Sequence, residues 1–450
     1  MESAIPLVDL APLARLLLLA LTFAALPLSW VWLRQRGADT RARLAALTAL
    51  TLFLTFDLIV FGAFTRLSDS GLGCPDWPGC YGSASPLGAQ QEIQAAQQLA
   101  PSGPVTFSKA WIEMIHRYLA MTVGVLILVM TAVAWIERKR LPFSPWWPSL
   151  TLAWVLVQGL FGKYTVTLKL FPAVVTLHLL GGMLLLALLA RQHAACSQRP
   201  LVLSPPLRRG AMFVATLLAC QIALGGWVST NYAVLACTGF PTCRGHWWPD
   251  MDWAGGFTLL RGLGEAGAQG AIGLPALVAI HMAHRLFAVL LSVALAVLAW
   301  RLLRRPSTAP DGAVARRFGL ILVALLAAQL ISGLSNVVLG WPLVAALGHS
   351  AGAAGLVLAW EVLRARLPRA VYGLAAISVA EGFGSLLYHG AAGDFGQFLH
   401  DVPLIGALAF VAGWHVGRLR DQADRGSLIG LAVGLAASAA VWALAPSATD

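Results

Sequence analysis

Residues 112–135 read IEMIHRYLAMTVGVLILVMTAVAW, an almost uninterrupted apolar run. A hydrocarbon core of about 30 Å needs about 20 such residues in a helix. The run lacks the alternation of polar and apolar residues that is typical of a strand in a membrane β-barrel. It therefore predicts a transmembrane α-helix. Its ionisable residues, Glu113, His116 and Arg117, gather at one end.

Similar runs recur along the chain and predict twelve transmembrane helices. They lie near 11–33, 45–66, 112–135, 149–168, 174–192, 208–230, 274–300, 319–341, 344–363, 370–388, 402–418 and 427–446. The composition agrees, because 58% of the 450 residues are hydrophobic and only 11% are charged. An ordinary globular protein has about 25% charged residues, so this chain could not cover a soluble surface. We therefore predict an all-α polytopic membrane protein.

The basic residues predict the orientation of the chain. Most of the 31 Lys and Arg residues fall in alternate loops, which places those loops in the cytoplasm. This distribution accounts for the net charge of +11 without a basic face for nucleic acid. The other loops, including 67–111 and 231–273, are then extracytoplasmic. A bacterial inner (plasma) membrane is the predicted location.

Two of the extracytoplasmic loops each carry a pair of cysteines separated by five residues. The pairs are Cys74 and Cys80 in CPDWPGC, and Cys237 and Cys243 in CTGFPTC. An oxidising compartment favours a disulfide within each pair. The alternatives are unpaired thiols and a metal site, but the latter finds no further ligand beyond His246.

The matched cysteine pairs belong to an internal duplication. A shift of 163 to 171 residues aligns Cys74 with Cys237, Cys80 with Cys243, His116 with His284, Gln158 with Gln329, Gly162 with Gly333, and His178 with His349. The segments 45–192 and 208–365 are therefore predicted to be two four-helix bundles related by a parallel repeat. Residues 1–44 add one helix and a cytoplasmic loop. Residues 370–450 add about three helices of unknown role.

Four repeated histidines occupy equivalent positions, two in each predicted bundle. His116 and His178 belong to the first bundle, and His284 and His349 to the second. Two imidazoles that face each other across a four-helix bundle form the axial pair of a b-type haem. The ordinary alternative is hydrogen bonding between helices. Their duplication at similar depth favours haem iron, and neither bundle offers the extra Cys or carboxylate ligands expected of zinc or copper.

Charged neighbours of the histidines distinguish the two halves. Arg117 and Arg285 each follow the first histidine of a pair, where an arginine either snorkels to the membrane surface or pairs with haem propionates. Glu113 shares a helix face with His116, whereas the equivalent position in the second half is His281. A carboxylate beside only one pair is a functional candidate, although a glutamate facing water at the interface is the simpler interpretation. The asymmetry predicts one reactive site and one electron-transfer site.

These motifs resemble the haem A synthase family, and the resemblance covers residues 45–365. It rests on FGAFTRLSDSGLGCPDWPGCYG at 61–82, EMIHRYLA at 113–120, QGLFGKYTV at 158–166, the His178 helix, IHMAHRL at 280–286 and LGHSAG at 347–352. The family converts haem O to haem A for terminal oxidase assembly. The resemblance implies an oxidoreductase that acts on a CH or CH2 group and takes the new oxygen from water.

The resemblance also implies a role for each site residue. The first bundle would hold the substrate haem between His116 and His178, with Glu113 as the catalytic carboxylate. The second would hold haem b between His284 and His349. The partners implied are haem O, haem O synthase (protohaem farnesyltransferase), an unknown electron acceptor and membrane lipid, and a homo-oligomer is left open.

A different resemblance applies to the C-terminal segment. Residues 381–406, EGFGSLLYHGAAGDFGQFLHDVPLIG, faintly resemble alkaline ceramidase-like membrane hydrolases at Ser385, His389 and Asp401. The further H-x-x-x-H of their zinc site is absent from this sequence. We interpret the segment as an appended module, and whether it binds zinc stays open.

Two other functions remain as alternatives. A non-enzymatic dihaem b-type cytochrome would need the same four histidines but would give Glu113 no role. A transporter would need a polar site at the bilayer midplane and broken helices, and the sequence shows no convincing example of either.

Overall fold

The computed structural model describes residues 11–197, 203–259, 272–306, 308–309 and 311–363. Its helices are α1 (Ala11–Arg34), α2 (Thr40–Leu67), α3 (Gln90–Leu99), α4 (Phe107–Ile136), α5 (Trp146–Thr167), α6 (Pro172–Ser197), α7 (Pro205–Thr230), α8 (Trp253–Gly256), α9 (Leu274–Leu303), α10 (Gly312–Val338) and α11 (Leu343–Leu363). All nine long helices that the sequence predicts for this part of the chain are confirmed. The predicted helices and the hydrolase-like motif after residue 369 lie outside the described residues.

The lengths and compositions of the long helices are those of a multi-pass membrane protein. Eight of those described are long and apolar enough to cross a membrane. The other long helix, α5, carries the polar side chains of Gln158 and Lys163 within its apolar sequence. It nevertheless packs between α4 and α6 as a full member of a bundle.

Helix boundaries depart from the apolar runs where local backbone chemistry decides them. Helix α2 begins at Thr40 because the side chain of Asp39 accepts a hydrogen bond of 2.8 Å from the amide of Ala42. Helix α10 ends at Val338, before the end of its apolar run, because Gly340 and Trp341 adopt left-handed conformations with φ of 69° and 68°. Hydropathy reports the part of a helix that can sit in lipid, whereas caps and turns set where the helix begins and ends.

The long helices form two four-helix bundles with the same order of packing. In the first, α2 contacts α4 and α6, and α5 contacts the same two helices. In the second, α9 contacts α7 and α10, and α11 contacts the same two helices. Helix α1 packs against α4 and α2. The bundles meet where α6 contacts α7 and α11, and where α11 contacts α2.

Equivalent positions of the repeat touch each other between the bundles. Arg66, at the end of α2, donates a hydrogen bond of 2.9 Å to the carbonyl of Ser229 at the end of α7. These two residues are 163 positions apart, which is the shift that relates the halves. The hydroxyls of Thr176 and Thr230 lie 3.2 Å apart beside them. The two halves are therefore joined close to the ends that carry the disulfide loops.

The two predicted disulfides are confirmed. Cys74 is bonded to Cys80 and Cys237 to Cys243, each within its own loop. The first loop packs onto the start of α4, where the hydroxyl of Tyr118 donates a hydrogen bond of 2.6 Å to the carbonyl of Ala84. Both loops thus lie beside the helices that carry the first histidine of each pair.

Candidate functional site

The four histidines lie in the N-terminal halves of α4, α6, α9 and α11, at the end of the bundles that carries the disulfide loops. His284 and His349 are close neighbours in the second bundle, with ring centroids 6.3 Å apart. His116 and His178 lie within electrostatic reach of each other in the first bundle. The structure thus brings together the same two pairs that the repeat predicts.

The spacing of the second pair suits a shared iron atom. A metal lies about 2.0–2.1 Å from a coordinating imidazole nitrogen, so an atom between two rings needs centroids roughly 6 Å apart. The observed 6.3 Å meets this requirement. The residues present therefore fit a haem with two axial imidazoles.

Each of the four imidazole rings faces a glycine on a neighbouring helix. A Cβ atom added to the glycine would lie 3.0 to 3.6 Å from the ring. The pairs are Gly62 with His116, Gly162 with His178, Gly225 with His284, and Gly333 with His349. Gly62 and Gly225 are related by the same 163-residue shift as the cysteines, although the sequence analysis did not single them out. The glycines leave room for rings held at one rotamer, as axial ligands must be.

We expect a single methyl group at Gly225 to disturb the second site. In Gly225→Ala the new Cβ would lie 3.1 Å from Cε1 of His284, so the ring must rotate or shift. Because Gly210 lies on the same helix with open space at its Cβ, Gly210→Ala is the matched control. The absorbance spectrum of the purified variants should show lost or altered haem b in Gly225→Ala only. Equal spectra for both variants would contradict the assignment of this glycine.

Polar side chains support the imidazoles of the second pair. Nε2 of Gln221 lies 3.1 Å from Nδ1 and 3.3 Å from Nε2 of His284, and Oγ of Ser332 lies 3.0 Å from Nδ1 of His349. Gln329 donates a further hydrogen bond of 2.8 Å to the carbonyl of His349. The hydroxyl of Ser332 can accept a hydrogen bond from Nδ1–H of His349, and such a bond to the non-coordinating nitrogen sets the tautomer and the orientation of an axial histidine.

The first pair lacks this support. The positions equivalent to Gln221 and Ser332 are Leu58 and Phe161, which cannot donate or accept through their side chains. Among the described residues, Nδ1 of His178 is buried without a hydrogen-bond partner. The two pairs therefore differ in the polar contacts that their rings make with neighbouring helices.

Glu113 is buried rather than exposed at an interface. Only 4% of the residue is accessible, so the interpretation that it faces water is wrong. Its carboxylate accepts a hydrogen bond of 2.7 Å from the amide of Cys74 and forms an ion pair with Arg117. The disulfide loop and α4 thereby hold this carboxylate in one position, three residues before His116.

The equivalent residue of the second half makes a different contact. His281 is also buried, and its Nδ1 lies 3.0 Å from the carbonyl of Ala233. An imidazole thus stands where the first half has a carboxylate that is paired with Arg117. The asymmetry that the sequence shows at this position is present in the fold.

Arg117 and Arg285 anchor the disulfide loops. Arg117 donates to the carbonyls of Asp76, Pro78 and Gly79. Arg285 donates in the same manner to the carbonyls of Cys237, Gly239 and Thr242, at 3.0 to 3.3 Å. The contact that these arginines share is with their disulfide loops, and the spacing of the sequence does not predict it. Pairing with propionates stays a prediction.

Within the described part of the chain, no three His, Cys, Asp or Glu side chains gather to hold a metal ion. The histidine pairs thus remain the candidate metal-binding groups there. Gln221, Ser332 and Gly225 carry no motif that marks them in the sequence, and Lys163 stands there only as part of the motif at 158–166. A residue-by-residue comparison of the two halves contains the signal for all four.

Comparisons with known proteins agree with the order of these motifs. Residues 15–360 match the COX15-CtaA family, described as a cytochrome oxidase assembly protein. A protein of Shewanella oneidensis named heme A synthase is 40% identical over 324 residues, which are 70% of this chain and 94% of the relative. One of Paracoccus denitrificans with the same name is 31% identical over 69% of this chain and 83% of the relative. One of Shouchella clausii is 28% identical over 57% and 74%, respectively.

Proposed function

The chain belongs to the COX15-CtaA family of cytochrome oxidase assembly proteins, and from this premise we propose how its two histidine pairs divide the work of haem A synthesis. The haem A synthase function of its relatives applies to this chain. The non-enzymatic dihaem cytochrome is not favoured, because the family match and the relatives named heme A synthase point to the enzyme.

The first pair, His116 and His178, holds the substrate haem O, and the second pair, His284 and His349, holds haem b. The observation that carries this division is the difference in support around the rings. Gln221 and Ser332 lie at hydrogen-bond distance from the second pair, as suits a haem that stays bound. Apolar residues occupy the equivalent positions beside the first pair, as suits a haem that must enter and leave.

The reaction converts a porphyrin methyl group to a formyl group, with water as the source of oxygen. Each conversion releases four protons and four electrons, so the site needs a proton acceptor and a route for electrons. Haem b, when bound, supplies a one-electron carrier between the substrate and an acceptor outside this chain. His116 and His178 orient the substrate, and the bundle excludes bulk water.

Glu113 is the group that we assign to proton transfer. The amide of Cys74 and the guanidinium of Arg117 both donate to its carboxylate, so this group is held in one position. A carboxylate one helical turn from His116 can accept a proton from the reacting group and can stabilise positive charge that develops there. No carboxylate occupies the equivalent position of the second pair, which accords with electron transfer alone.

We further propose a bacterial inner membrane location with the disulfide loops on the extracytoplasmic side. The basic loops between the helices support this orientation. Haem O synthase would deliver the substrate, since its product is the molecule that the first pair must receive.

Pigment analysis tests the proposed function. The protein should be purified from cells that make haem O but have no other source of haem A, and its haems should be extracted and separated. We expect haem A or haem O together with haem b, because the two pairs bind different haems. Extraction of haem b alone, at two equivalents per chain, would instead establish the dihaem cytochrome.

A further inference from the structure

The first histidine pair has a lysine beside it at a position where the second half has a leucine. Lys163 follows Gly162 on α5, and its Nζ lies 5.9 Å from the centre of the Trp77 ring in the first disulfide loop. This distance falls within the range of a cation–π contact. In the second half the equivalent residues are Leu334 and Phe240, so the cation–π contact has no counterpart at these positions.

The contact between Lys163 and Trp77 connects the two histidines of the first pair through their neighbouring residues. Arg117 adjoins His116 and donates to the carbonyls of Asp76 and Pro78, on either side of Trp77, at 2.9 and 3.2 Å. Arg117 therefore attaches the first disulfide loop to α4 at the residues on either side of Trp77. From the opposite side, Gly162 faces the ring of His178, and the next residue, Lys163, reaches Trp77. Lys163 thus connects the helix that faces His178 with the loop that is attached beside His116.

Three other cations near this end of the bundles make contacts of their own. Arg117 is used by three loop carbonyls and by Glu113. Lys109 forms an ion pair of 3.3 Å with Asp69, and Arg66 binds the carbonyl of Ser229 and lies over the ring of Tyr232. Among the residues that the structure describes, no carboxylate lies within 4.0 Å of Lys163.

We propose that Lys163 binds a propionate carboxylate of the substrate haem. In the absence of that haem the lysine contacts the ring of Trp77 instead. The proposal rests on the assignment of haem O to the first pair. A partly exposed cation–π contact is weaker than a charge-assisted hydrogen bond to a carboxylate, so an arriving propionate displaces the ring. Leu334 and Phe240 provide no such exchange of partners, which agrees with a second haem that does not turn over.

A binding titration tests the charge of Lys163 directly. The full chain, with haem b in its second site, is purified from cells without haem O and titrated with haem O or with its dimethyl ester, in which both propionates are blocked. We expect Lys163→Met to weaken haem O binding roughly tenfold, as the loss of one hydrogen bond to a charged group implies. Binding of the diester should be the same in the unmodified protein and in the variant.

Two further variants complete the experiment. Lys163→Arg keeps the charge and should retain most of the affinity for haem O. Lys169→Met removes an exposed lysine just beyond the end of the same helix and should leave the affinity unchanged. The haem b spectrum of each sample verifies that the protein is folded.

The outcomes separate this proposal from the proposed function. If the unmodified protein binds haem O and Lys163→Met binds it equally well, the Lys163 proposal is wrong and the haem assignment stands. The same conclusion follows if Lys163→Met weakens the diester as much as haem O, because the lysine would then act by shape and not by charge. If the unmodified protein binds no haem O, both proposals fail.

Discussion

Replacing His284 or His349 by alanine is expected to remove nearly all haem b from the purified protein. The rings of these histidines lie 6.3 Å apart, so each would supply one of the two axial bonds to the same iron. Gln221 and Ser332 orient the rings but cannot replace a lost imidazole. Haem b per chain, measured by absorbance and by extraction, should fall towards zero in both variants.

The same substitution in the first pair is expected to give the opposite pattern. His116→Ala and His178→Ala should keep haem b at the level of the unmodified protein, because these histidines lie in the first bundle and His284 and His349 lie in the second. Both variants should lose the substrate haem and make no haem A. His193 is a suitable control, since it lies at the far end of α6, where its Nδ1 is 3.0 Å from the carbonyl of Ala45. Equal loss of haem b from all four variants would contradict the division of labour between the pairs.

Glu113→Gln is expected to lower haem A formation by at least about 100-fold while haem b is retained. General acid–base catalysis by one side chain contributes typically 10²–10⁴-fold, and glutamine removes the base without a large change of shape. Its carbonyl oxygen can still accept from the amide of Cys74, which donates to the glutamate at 2.7 Å. The first disulfide loop should therefore stay in place. Haem O or a partly oxidised product should accumulate in the extracted pigment.

Glu137→Gln is the matched control for this experiment. Glu137 caps the opposite end of α4 and pairs with Arg140 at the surface, so its substitution should leave haem A formation unchanged. The variants should also be compared for bound haem O. If Glu113→Gln makes haem A at the unmodified rate, the residue is structural and serves only to attach the loop. If it loses haem O itself, its role is in binding and the catalytic assignment is wrong.

The architecture was largely predictable from the sequence because its causes are local. In lipid every backbone amide must be satisfied within its own segment, so a long apolar run such as 112–135 has to become a helix. Nine of the predicted helices and both disulfides were confirmed for the described residues. His116 and His284 are equivalent in the repeat, and the two halves fold into similar bundles. A histidine therefore lies at the same place in each bundle.

The partners of individual side chains were not predictable in the same way. The sequence placed Arg117 beside a histidine and suggested a propionate, whereas the structure shows it bound to the carbonyls of the disulfide loop. It allowed Glu113 to face water, whereas the carboxylate is buried against the same loop. A loop of this kind has no periodicity, so nothing in its spacing reveals which helix it will cover.

The sequence by itself determined the helices, their order, the duplication and the four histidines. Only the tertiary structure decided that Gly225 faces His284, that Gln221 and Ser332 lie beside the second pair, and that Lys163 reaches Trp77. The physical reason is that helix formation depends on neighbours three or four residues apart. Contacts between helices depend on how each helix is rotated and crossed against the next, and many side chains share in setting that geometry.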